Sequence, residues 1–402
     1  MDLHEKSLRC LNCDREYSPD QVLHTCPECG GLLDPRYDYG SIRRRLSRSK
    51  LATRVRNMWR YAELLPTDPR QAVTLGEGFT PLVKARSSSE ILFKLEFSSP
   101  TGSFKDRGSS TLISKAVELK AKATAIDSSG NAAASLSAYS AKAGLPCYVF
   151  APAYASPSKL LQSQSYGSRL FKVEGTRRDT YEVASAAYKR FGWYYCSFQT
   201  NPYASEGMKT IGYEICEQLR WKPPDWIIFP VGTGSGLIGC WKGLKEMLEL
   251  GWISKMPHIG CIQPEGCGPI STAFKGSHPI VAVEKPKTVA EGLMIAKPLK
   301  GDLVLKALKE TDGIADTVSD DRIVAAGVEL AKTEGLFVEP SAAASYAGLL
   351  KLRAQGKVSR GERMVCILTG SGLKTPDAYS DHVVEATPIR PAVDELVKVL
   401  GC

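Results

Sequence analysis

The sequence lacks the long apolar run that a membrane-spanning helix needs. No stretch of about 18 consecutive apolar residues occurs, so we expect no transmembrane helix. An apolar segment after Met1 is also missing, which argues against a secretory signal. With 43% hydrophobic and 24% charged residues, the composition excludes a mostly disordered or fibrous chain. The length predicts two or three folding units of roughly 150 residues each.

Cysteines are too few for a disulfide-stapled scaffold. The chain has 12 in 402 residues, and that share of about 3% lies below the range of disulfide-rich proteins. Eight of the 12 are scattered singly along the chain. Such cysteines behave as small apolar residues in a reducing compartment, so we expect free thiols and a cytoplasmic location.

The other four cysteines fall within the first 30 residues, at Cys10, Cys13, Cys26 and Cys29. Two Cys-x-x-Cys pairs can each present two thiolates to one ion, and four thiolates in a tetrahedron suit Zn²⁺. A unit of roughly 35 residues cannot bury enough surface to fold alone, so the metal would supply folding energy. We predict a structural zinc ribbon at residues 1–40. A metal-free knuckle and a disulfide pair are the alternatives.

Positive charge is concentrated in one segment. The net charge is +9, and residues 41–60 contain eight basic residues and no acidic one. A basic stretch of this kind could contact nucleic acid. It has few aromatic residues, however, and we expect a solvated face of a helical connector at residues 41–72. Four apolar residues are spaced to form the opposite helix face: Ile42, Leu46, Leu51 and Val55.

From about residue 74, short β-branched segments alternate with alanine-rich helical segments. Strands are predicted at 91–95, 123–127, 147–151, 169–173, 226–231, 258–263 and 364–369. Helices are predicted at 110–121, 132–143, 179–191, 207–219 and 323–334, and a closing helix at 392–400. This alternation predicts an α/β fold with a largely parallel sheet.

One lysine, Lys105, lies in a polar loop between a predicted strand and a helix. In open α/β sheets, ligands bind at the carboxyl ends of the strands. A lysine at that edge can form a Schiff base with an aldehyde cofactor. Most lysines at loop ends are merely solvated, so this loop alone indicates little.

A glycine-rich loop follows the strand predicted at 226–231, and it reads Gly232-Thr233-Gly234-Ser235-Gly236. Glycines allow backbone N–H groups to surround an anion at a helix N-terminus. No Gly-Lys-Ser/Thr ends the loop, which excludes a Walker phosphate loop. A dinucleotide-binding turn is an alternative, although no acidic residue closes a strand about 20 residues later.

Two further polar loops follow predicted strands. They read Ser128-Ser129-Gly130-Asn131 and Thr369-Gly370-Ser371-Gly372. Each alone could be an ordinary helix cap or turn. Four polar loops at strand ends, one of them with a lysine, together indicate a ligand site.

The loops occur in an order that resembles the pyridoxal-phosphate enzymes of fold type II, the tryptophan-synthase-β-like family, and within it the threonine synthases. The matching motifs are Gly76-Glu77-Gly78-x-Thr80-Pro81-Leu82, Thr101-Gly102-Ser103-Phe104-Lys105-Asp106-Arg107-Gly108, Ser129-Gly130-Asn131, Glu206-Gly207-x-Lys209-Thr210, Gly232-Thr233-Gly234-Ser235-Gly236, Glu339-Pro340-x-Ala342 and Thr369-Gly370-x-Gly372-Leu373-Lys374. The cysteine cluster is similar to the zinc ribbon on many chains of this kind.

The resemblance implies a catalytic core of two parallel-sheet α/β subdomains at residues 73–385. A smaller, mobile subdomain would occupy roughly residues 115–205, and residues 386–402 would form a C-terminal tail. The resemblance also implies a homodimer without membrane or nucleic-acid partners. The substrate would be a small amino acid.

The resemblance implies a role for each loop. Lys105 would hold the cofactor covalently and move substrate protons, and the loop 232–236 would bind the cofactor phosphate. Asn131 would hydrogen-bond the ring hydroxyl. Thr369 would meet the pyridine nitrogen, where a neutral hydroxyl favours elimination over transamination. Two hydroxyls would receive the substrate α-carboxylate: Ser128 and Ser129.

The implied reaction converts O-phosphohomoserine and water into threonine and phosphate. Ala204 stands where this family usually has a phosphate-binding arginine, and Ala132 where it commonly has threonine. We expect Lys209 to contact the substrate in place of that arginine. Three other cations could do so instead: Arg177, Arg178 and Lys159. The alternatives are a threonine/serine dehydratase, an O-phosphoserine-dependent β-replacement enzyme, and a non-enzymatic zinc-ribbon protein that binds RNA.

Overall fold

The amino-terminal segment forms a small antiparallel sheet in the computed structural model, which describes residues 4–155 and 157–401. Its strands are β1 (Glu5–Cys10), β2 (Glu16–Tyr17) and β3 (Leu33–Tyr37), in the order β2-β1-β3. Leu8, Leu33 and Tyr37 lie in the same apolar cluster as Tyr203 and Leu244 of the following core. The cysteine-rich segment therefore packs on the rest of the chain and shares its interior.

The connector is broken into short pieces. Helix α1 (Tyr39–Arg45) and helix α2 (Arg48–Ala52) are followed by a 3₁₀ turn at Met58–Leu64. The break falls at Ser47, whose side chain accepts a hydrogen bond from the Lys50 N–H and so begins a new helix.

Of the predicted apolar face of the connector, three residues are buried. Ile42, Leu46 and Leu51 lie inside, whereas Val55 is 77% exposed because the chain turns after α2. The basic side chains bind acids of the same chain. Arg54 pairs with Glu63 at 2.6 Å and Arg60 with Glu217 at 2.8 Å. Part of the basic segment thus serves internal contacts.

The remaining strands, in chain order, are β4 (Leu82–Lys84), β5 (Ile91–Leu95), β6 (Thr124–Asp127), β7 (Cys147–Pro152), β8 (Arg169–Val173), β9 (Tyr194–Tyr195), β10 (Trp226–Pro230), β11 (His258–Pro264), β12 (Ile314–Val318) and β13 (Met364–Leu368). The remaining helices are α3 (Lys105–Glu118), α4 (Asn131–Lys142), α5 (Pro157–Ser165), α6 (Arg177–Phe191), α7 (Tyr203–Met208), α8 (Thr210–Gln218), α9 (Ser235–Glu249), α10 (Pro269–Gly276), α11 (Gly301–Glu310), α12 (Asp320–Glu334), α13 (Pro340–Ala354) and α14 (Val393–Leu400).

These strands form two sheets. The larger has the order β12-β11-β10-β13-β5-β4 and is parallel except for β4, which runs antiparallel to β5. The smaller has the order β8-β7-β6-β9 and is parallel throughout. The predicted α/β architecture with two parallel sheets behind a small cysteine-rich segment is confirmed.

Both faces of the larger sheet are buried, which explains its continuous apolar strands. In β10, Ile227 and Phe229 join one apolar cluster, while Trp226 and Ile228 join another on the opposite face. Successive side chains of a strand point to opposite faces, and helices cover both sides of a parallel sheet. No helix in the described ranges is long and apolar enough to cross a bilayer.

Two differences from the predicted elements affect the site. The helix predicted at 110–121 begins at Lys105, so this lysine opens α3. The helix predicted at 207–219 is divided into α7 and α8, with the break at Lys209.

Candidate active site

Four loops meet at the carboxyl edges of the two sheets. They are the Lys105 loop after β5, residues 128–131 after β6, residues 232–236 after β10 and residues 369–372 after β13. Parallel strands place their carboxyl ends on the same side, which is where α/β proteins bind ligands.

The lysine loop is fastened to the end of β13 by its backbone. The Phe104 N–H donates to the Thr369 carbonyl at 2.9 Å, and the Ser371 N–H donates to the Gly102 carbonyl at 3.0 Å. Gly102 has φ of +81°, a value that side chains other than hydrogen disfavour. These contacts place Lys105 beside Thr369, which is itself 3% exposed.

The Lys105 amine lies in an apolar environment formed by two aromatic rings. Its Nζ lies 4.6 Å from the ring centroids of both Phe104 and Phe198. Among the described residues, no hydrogen bond or ion pair holds this group. Desolvation lowers the pKa of Lys105 to about 8, while the charge of Glu339 opposes that shift. A lysine with a lowered pKa is partly neutral near neutral pH and can act as a nucleophile.

Asp106 holds the same loop from inside. Its carboxylate accepts hydrogen bonds from the Thr101 N–H at 2.7 Å, the Thr101 hydroxyl at 2.6 Å and the Ser135 hydroxyl at 2.6 Å. Burial raises the pKa of Asp106 to about 6, against the effect of these hydrogen bonds. Because Ser135 belongs to α4, Asp106 also fixes the lysine loop to the smaller sheet's first helix.

Asn131 and Glu339 form a polar pair across the two sheets. The Asn131 Nδ2 donates to both Glu339 carboxylate oxygens, at 2.9 and 3.1 Å. The Glu339 N–H donates to the Gly370 carbonyl at 3.0 Å, so the acid lies against the loop after β13. Ser128 and Ser129 are half-buried in the turn before Asn131. Glu339 belongs to the motif Glu339-Pro340-x-Ala342, but the sequence alone indicated no role for it.

The glycine loop is closely packed. Gly234 has φ of +88°, and a methyl group at Gly236 would lie 2.7 Å from the Phe104 ring. The Ser235 hydroxyl donates to the Phe198 carbonyl at 2.6 Å. The loop opens α9, whose first N–H groups have no partner within the helix and suit an anion.

A phosphorylated aldehyde cofactor fits this arrangement. It needs an amine without a competing partner, a backbone cradle for phosphate and polar groups around a ring. Lys105, the loop 232–236, Asn131 and Thr369 offer these. The Ser103 hydroxyl, also buried beside the lysine loop, has no hydrogen-bond partner among the described residues. The fold and these groups define a pyridoxal-phosphate enzyme of fold type II.

Comparison with known proteins agrees with that class. Residues 73–370 match the model of the pyridoxal-phosphate dependent enzyme family, and the chain belongs to this family. It is 41% identical to the threonine synthase of Methanocaldococcus jannaschii over 401 residues, which cover 98% of each chain. It is 40% identical to the threonine synthase of Methanosarcina acetivorans over 397 residues, which cover 97% of each chain.

Solved structures support the fold. Maize serine racemase aligns with a TM-score of 0.66 at 23% identity, covering 76% of this chain and 91% of that one. The processed form of threonine deaminase isoform 2 from Solanum lycopersicum aligns with a TM-score of 0.64 at 22% identity, covering 73% and 79%. Identities this low show only that the chains share a fold.

Lys209, the cation suggested for the substrate, lies in a buried charge cluster. Its ammonium is fully buried and pairs with Glu206 at 2.7 Å and Glu246 at 3.1 Å. It also lies 3.9 Å from the Tyr37 ring centroid. Two acids already contact its ammonium, so this placement argues against a role in binding the substrate.

The other cations suggested from sequence are also engaged or not described. Arg177 pairs with Asp127 at 2.5 Å, and Arg178 pairs with Glu182 at 2.8 Å. The Lys159 side chain lies outside the residues that the structure describes. Lys300, which no sequence motif indicated, is a further cation, and the charge of Lys105 acts on it.

The four cysteines of the amino-terminal segment form a second site. Their Sγ atoms all lie within 4.8 Å of one another, with Cys10–Cys29 at 3.5 Å and Cys13–Cys26 at 3.7 Å. Four thiolates around zinc would be about 3.8 Å apart, from Zn–S bonds of about 2.3 Å. A methyl group at Gly31 would lie 3.0 Å from the Cys10 Sγ. The donor set fits Zn²⁺.

Proposed function

We propose that the protein converts O-phosphohomoserine and water into threonine and phosphate with pyridoxal phosphate, as a threonine synthase. The observation that carries this is the Lys105 amine, which no hydrogen bond or ion pair holds among the described residues, at the edge where the four loops meet in a chain 41% identical to a threonine synthase over nearly its full length. The net reaction breaks the γ carbon–oxygen bond, so that phosphate leaves together with a proton from the β carbon. Water then adds across the two carbons, with the hydroxyl at the β carbon and the proton at the γ carbon.

In the proposed reaction, Lys105 acts together with the cofactor. Bound pyridoxal phosphate supplies an electron sink for negative charge at the substrate α carbon. Lys105 holds the cofactor and moves protons to and from the substrate carbons. A pKa of about 8 suits that task, because both protonation states are populated near neutral pH. The Phe104 and Phe198 rings keep water away from the amine.

The remaining groups orient the reactants. We assign the cofactor phosphate to Gly232, Thr233, Gly234, Ser235 and Gly236, whose N–H groups open α9. Asn131 and Thr369 contact the cofactor ring. The carboxylate of Glu339 keeps the Asn131 amide in one orientation. Ser128 and Ser129 receive the substrate α-carboxylate at the start of α4.

A substrate panel tests the reaction. The holoenzyme is incubated with O-phosphohomoserine, threonine, serine and O-phosphoserine, and phosphate, threonine and keto acids are measured. Phosphate and threonine in equal amounts from O-phosphohomoserine support the proposal. Keto acid from threonine or serine, without phosphate release from O-phosphohomoserine, would show the dehydratase alternative, which Ala204 and Ala132 favour. Turnover of O-phosphoserine alone would indicate β-replacement.

We further propose one structural Zn²⁺ at Cys10, Cys13, Cys26 and Cys29, supported by their mutual Sγ distances. The ribbon would span residues 1–40, the connector 41–72, the catalytic core 73–385 with a smaller mobile subdomain near 115–205, and the tail 386–402. We also propose a cytoplasmic homodimer. Free thiols at the described cysteines support a reducing compartment. Light scattering of the purified protein would test the dimer.

A further inference from the structure

Lys300 is a buried cation without a counter-ion. It directly precedes α11 and is 5% exposed. Its Nζ donates a hydrogen bond to the Ser205 hydroxyl at 2.8 Å. No ion pair involves Lys300 within the described ranges. Buried lysines are normally paired, because an isolated charge in a protein interior is unfavourable.

Lys300 lies beside the glycine loop. A methyl group at Gly234 would lie 3.9 Å from the Lys300 Cβ and 2.6 Å from the Val304 Cγ2. The first turn of α11 thus packs against the loop that opens α9. The Leu299 N–H donates to the Gln199 side chain at 3.2 Å, which joins this turn to the segment that carries Phe198.

The charge of Lys105 acts on Lys300. Desolvation lowers the pKa of Lys300 to about 7, and the Lys105 charge lowers it further. The acids that oppose the shift are Glu206 and Asp34, and both already pair with Lys242. Glu339 is the acid that acts on Lys105, whereas Lys300 has no ion pair of its own in the described part of the chain, so its positive charge would favour a bound anion.

We propose that Lys300, together with the Ser205 hydroxyl, binds a phosphate group at the active site in place of the arginine that is absent at position 204. The proposal rests on the proposed function for its substrate. Ala204 is fully buried in the apolar cluster, so position 204 has no open space for a charged side chain. The cation is therefore Lys300, directly before α11, and it contacts Ser205, the neighbour of Ala204.

The phosphate could belong to the substrate or to the cofactor, because both are phosphate monoesters. Two measurements separate them. The apoprotein is titrated with pyridoxal phosphate and with pyridoxal, which lacks the phosphate, and absorbance gives the dissociation constants. The holoenzyme is titrated with inorganic phosphate in a calorimeter. Lys300→Met, Lys300→Arg and Ser205→Ala are compared with Lys306→Met, a control on the exposed side of the same helix.

If Lys300 holds the substrate phosphate, Lys300→Met weakens inorganic phosphate binding by about 10- to 200-fold and leaves pyridoxal phosphate affinity unchanged. If it holds the cofactor phosphate, the same loss appears for pyridoxal phosphate and not for pyridoxal. Lys300→Arg should retain much of the affinity. Ser205→Ala should lose about 2- to 10-fold on the same ligand, and it remains informative if Lys300→Met does not fold.

Unchanged affinities for both phosphate ligands in Lys300→Met would overturn the proposal. So would an equal loss for pyridoxal and pyridoxal phosphate, since that pattern reports a structural role. These titrations need no turnover. A wild-type enzyme that binds phosphate through Lys300 but releases none from O-phosphohomoserine would refute the proposed function and leave the phosphate site standing.

Discussion

The Tyr37 hydroxyl donates a hydrogen bond of 2.6 Å to the Glu206 carboxylate. Tyr37 ends β3 of the cysteine-rich segment, and Glu206 lies in α7 beside Ser205. The other Glu206 oxygen accepts a hydrogen bond from Lys242 at 2.6 Å. The amino-terminal segment therefore contacts α7 through the fully buried Glu206. This helix also contains Ser205, which accepts the hydrogen bond from Lys300.

Tyr37→Phe should destabilise the whole protein. The substitution keeps the ring and removes one hydrogen bond to a buried carboxylate, which costs about 1–3 kcal/mol. The free energy of unfolding in urea measures the change. Tyr154→Phe is the matched control, because the Tyr154 side chain is 70% exposed. Equal stabilities of the two variants would mean that the Tyr37–Glu206 contact contributes little.

Metal analysis should find about one zinc per chain. Cys13→Ser should reduce that content and lower the melting temperature of the catalytic core, because β3 packs on α7 and α9 through Tyr37 and Lys242. Cys216→Ser changes a buried cysteine outside the cluster and serves as the control for zinc content. A metal-free wild type with an unchanged melting temperature would contradict the zinc site.

Borohydride reduction of the holoenzyme should attach the cofactor to Lys105. Peptide mapping then locates the label, and Lys105→Ala should abolish it together with turnover. Lys122→Ala, at an exposed lysine, should retain both. A label on any other lysine would refute the assignment.

Much of the fold could be predicted because the strands of a parallel sheet are short apolar segments with polar loops after them. The predicted limits of β5 and β8 coincide with those observed. The four strand-end loops were also identifiable, since each combines glycine and serine with other polar residues after a predicted strand. Local composition was sufficient for these features.

Other features depend on contacts between distant segments. The sequence before Lys300 contains no recognisable motif. Lys300 was identified through its hydrogen bond to Ser205, which lies 95 positions away in the chain. Lys209 resembled a substrate-binding cation in sequence, yet Glu246 from α9 pairs with it. Glu339 lies at the site because α13 begins beside Gly370. The spacing of residues along the sequence does not predict which charged side chains pair in the folded chain.

In the apoprotein, Lys300 and Lys105 should each contribute more to stability as the pH rises above about 7. Burial holds the pKa of Lys300 at about 7 and that of Lys105 at about 8, below the ordinary lysine value near 10.4. Between these values the unfolded chain binds more protons at these two lysines than the folded chain does, so their contribution to the free energy of unfolding increases with pH. Urea unfolding of wild type and Lys300→Met at several pH values measures this. The free energy of unfolding of wild type minus that of the variant should increase with pH, and a difference that does not change with pH would mean that Lys300 titrates normally.

Behind the active site, four buried charges form a network on which α3 depends. Arg107 pairs with Glu96 at 2.6 Å and with Glu214 at 2.5 Å, and Lys94 pairs with Glu214 at 2.8 Å. All four side chains are fully buried. Arg107 is two residues from Lys105, so this network holds the first turn of the helix that carries the reactive amine.

Arg107→Met should therefore be strongly destabilising, by about 3–5 kcal/mol, because it leaves two buried carboxylates with one lysine between them. Arg178→Met is the control, since Arg178 is 85% exposed in its pair with Glu182 and should change stability by less than about 1 kcal/mol. Urea unfolding compares the two.

Glu214→Gln removes one charge of the same network while keeping the side chain's shape. It should leave Arg107 paired with Glu96 but remove the acid that Lys94 binds. If Arg107→Met and Arg178→Met lose equal stability, the buried network contributes no more than a surface pair.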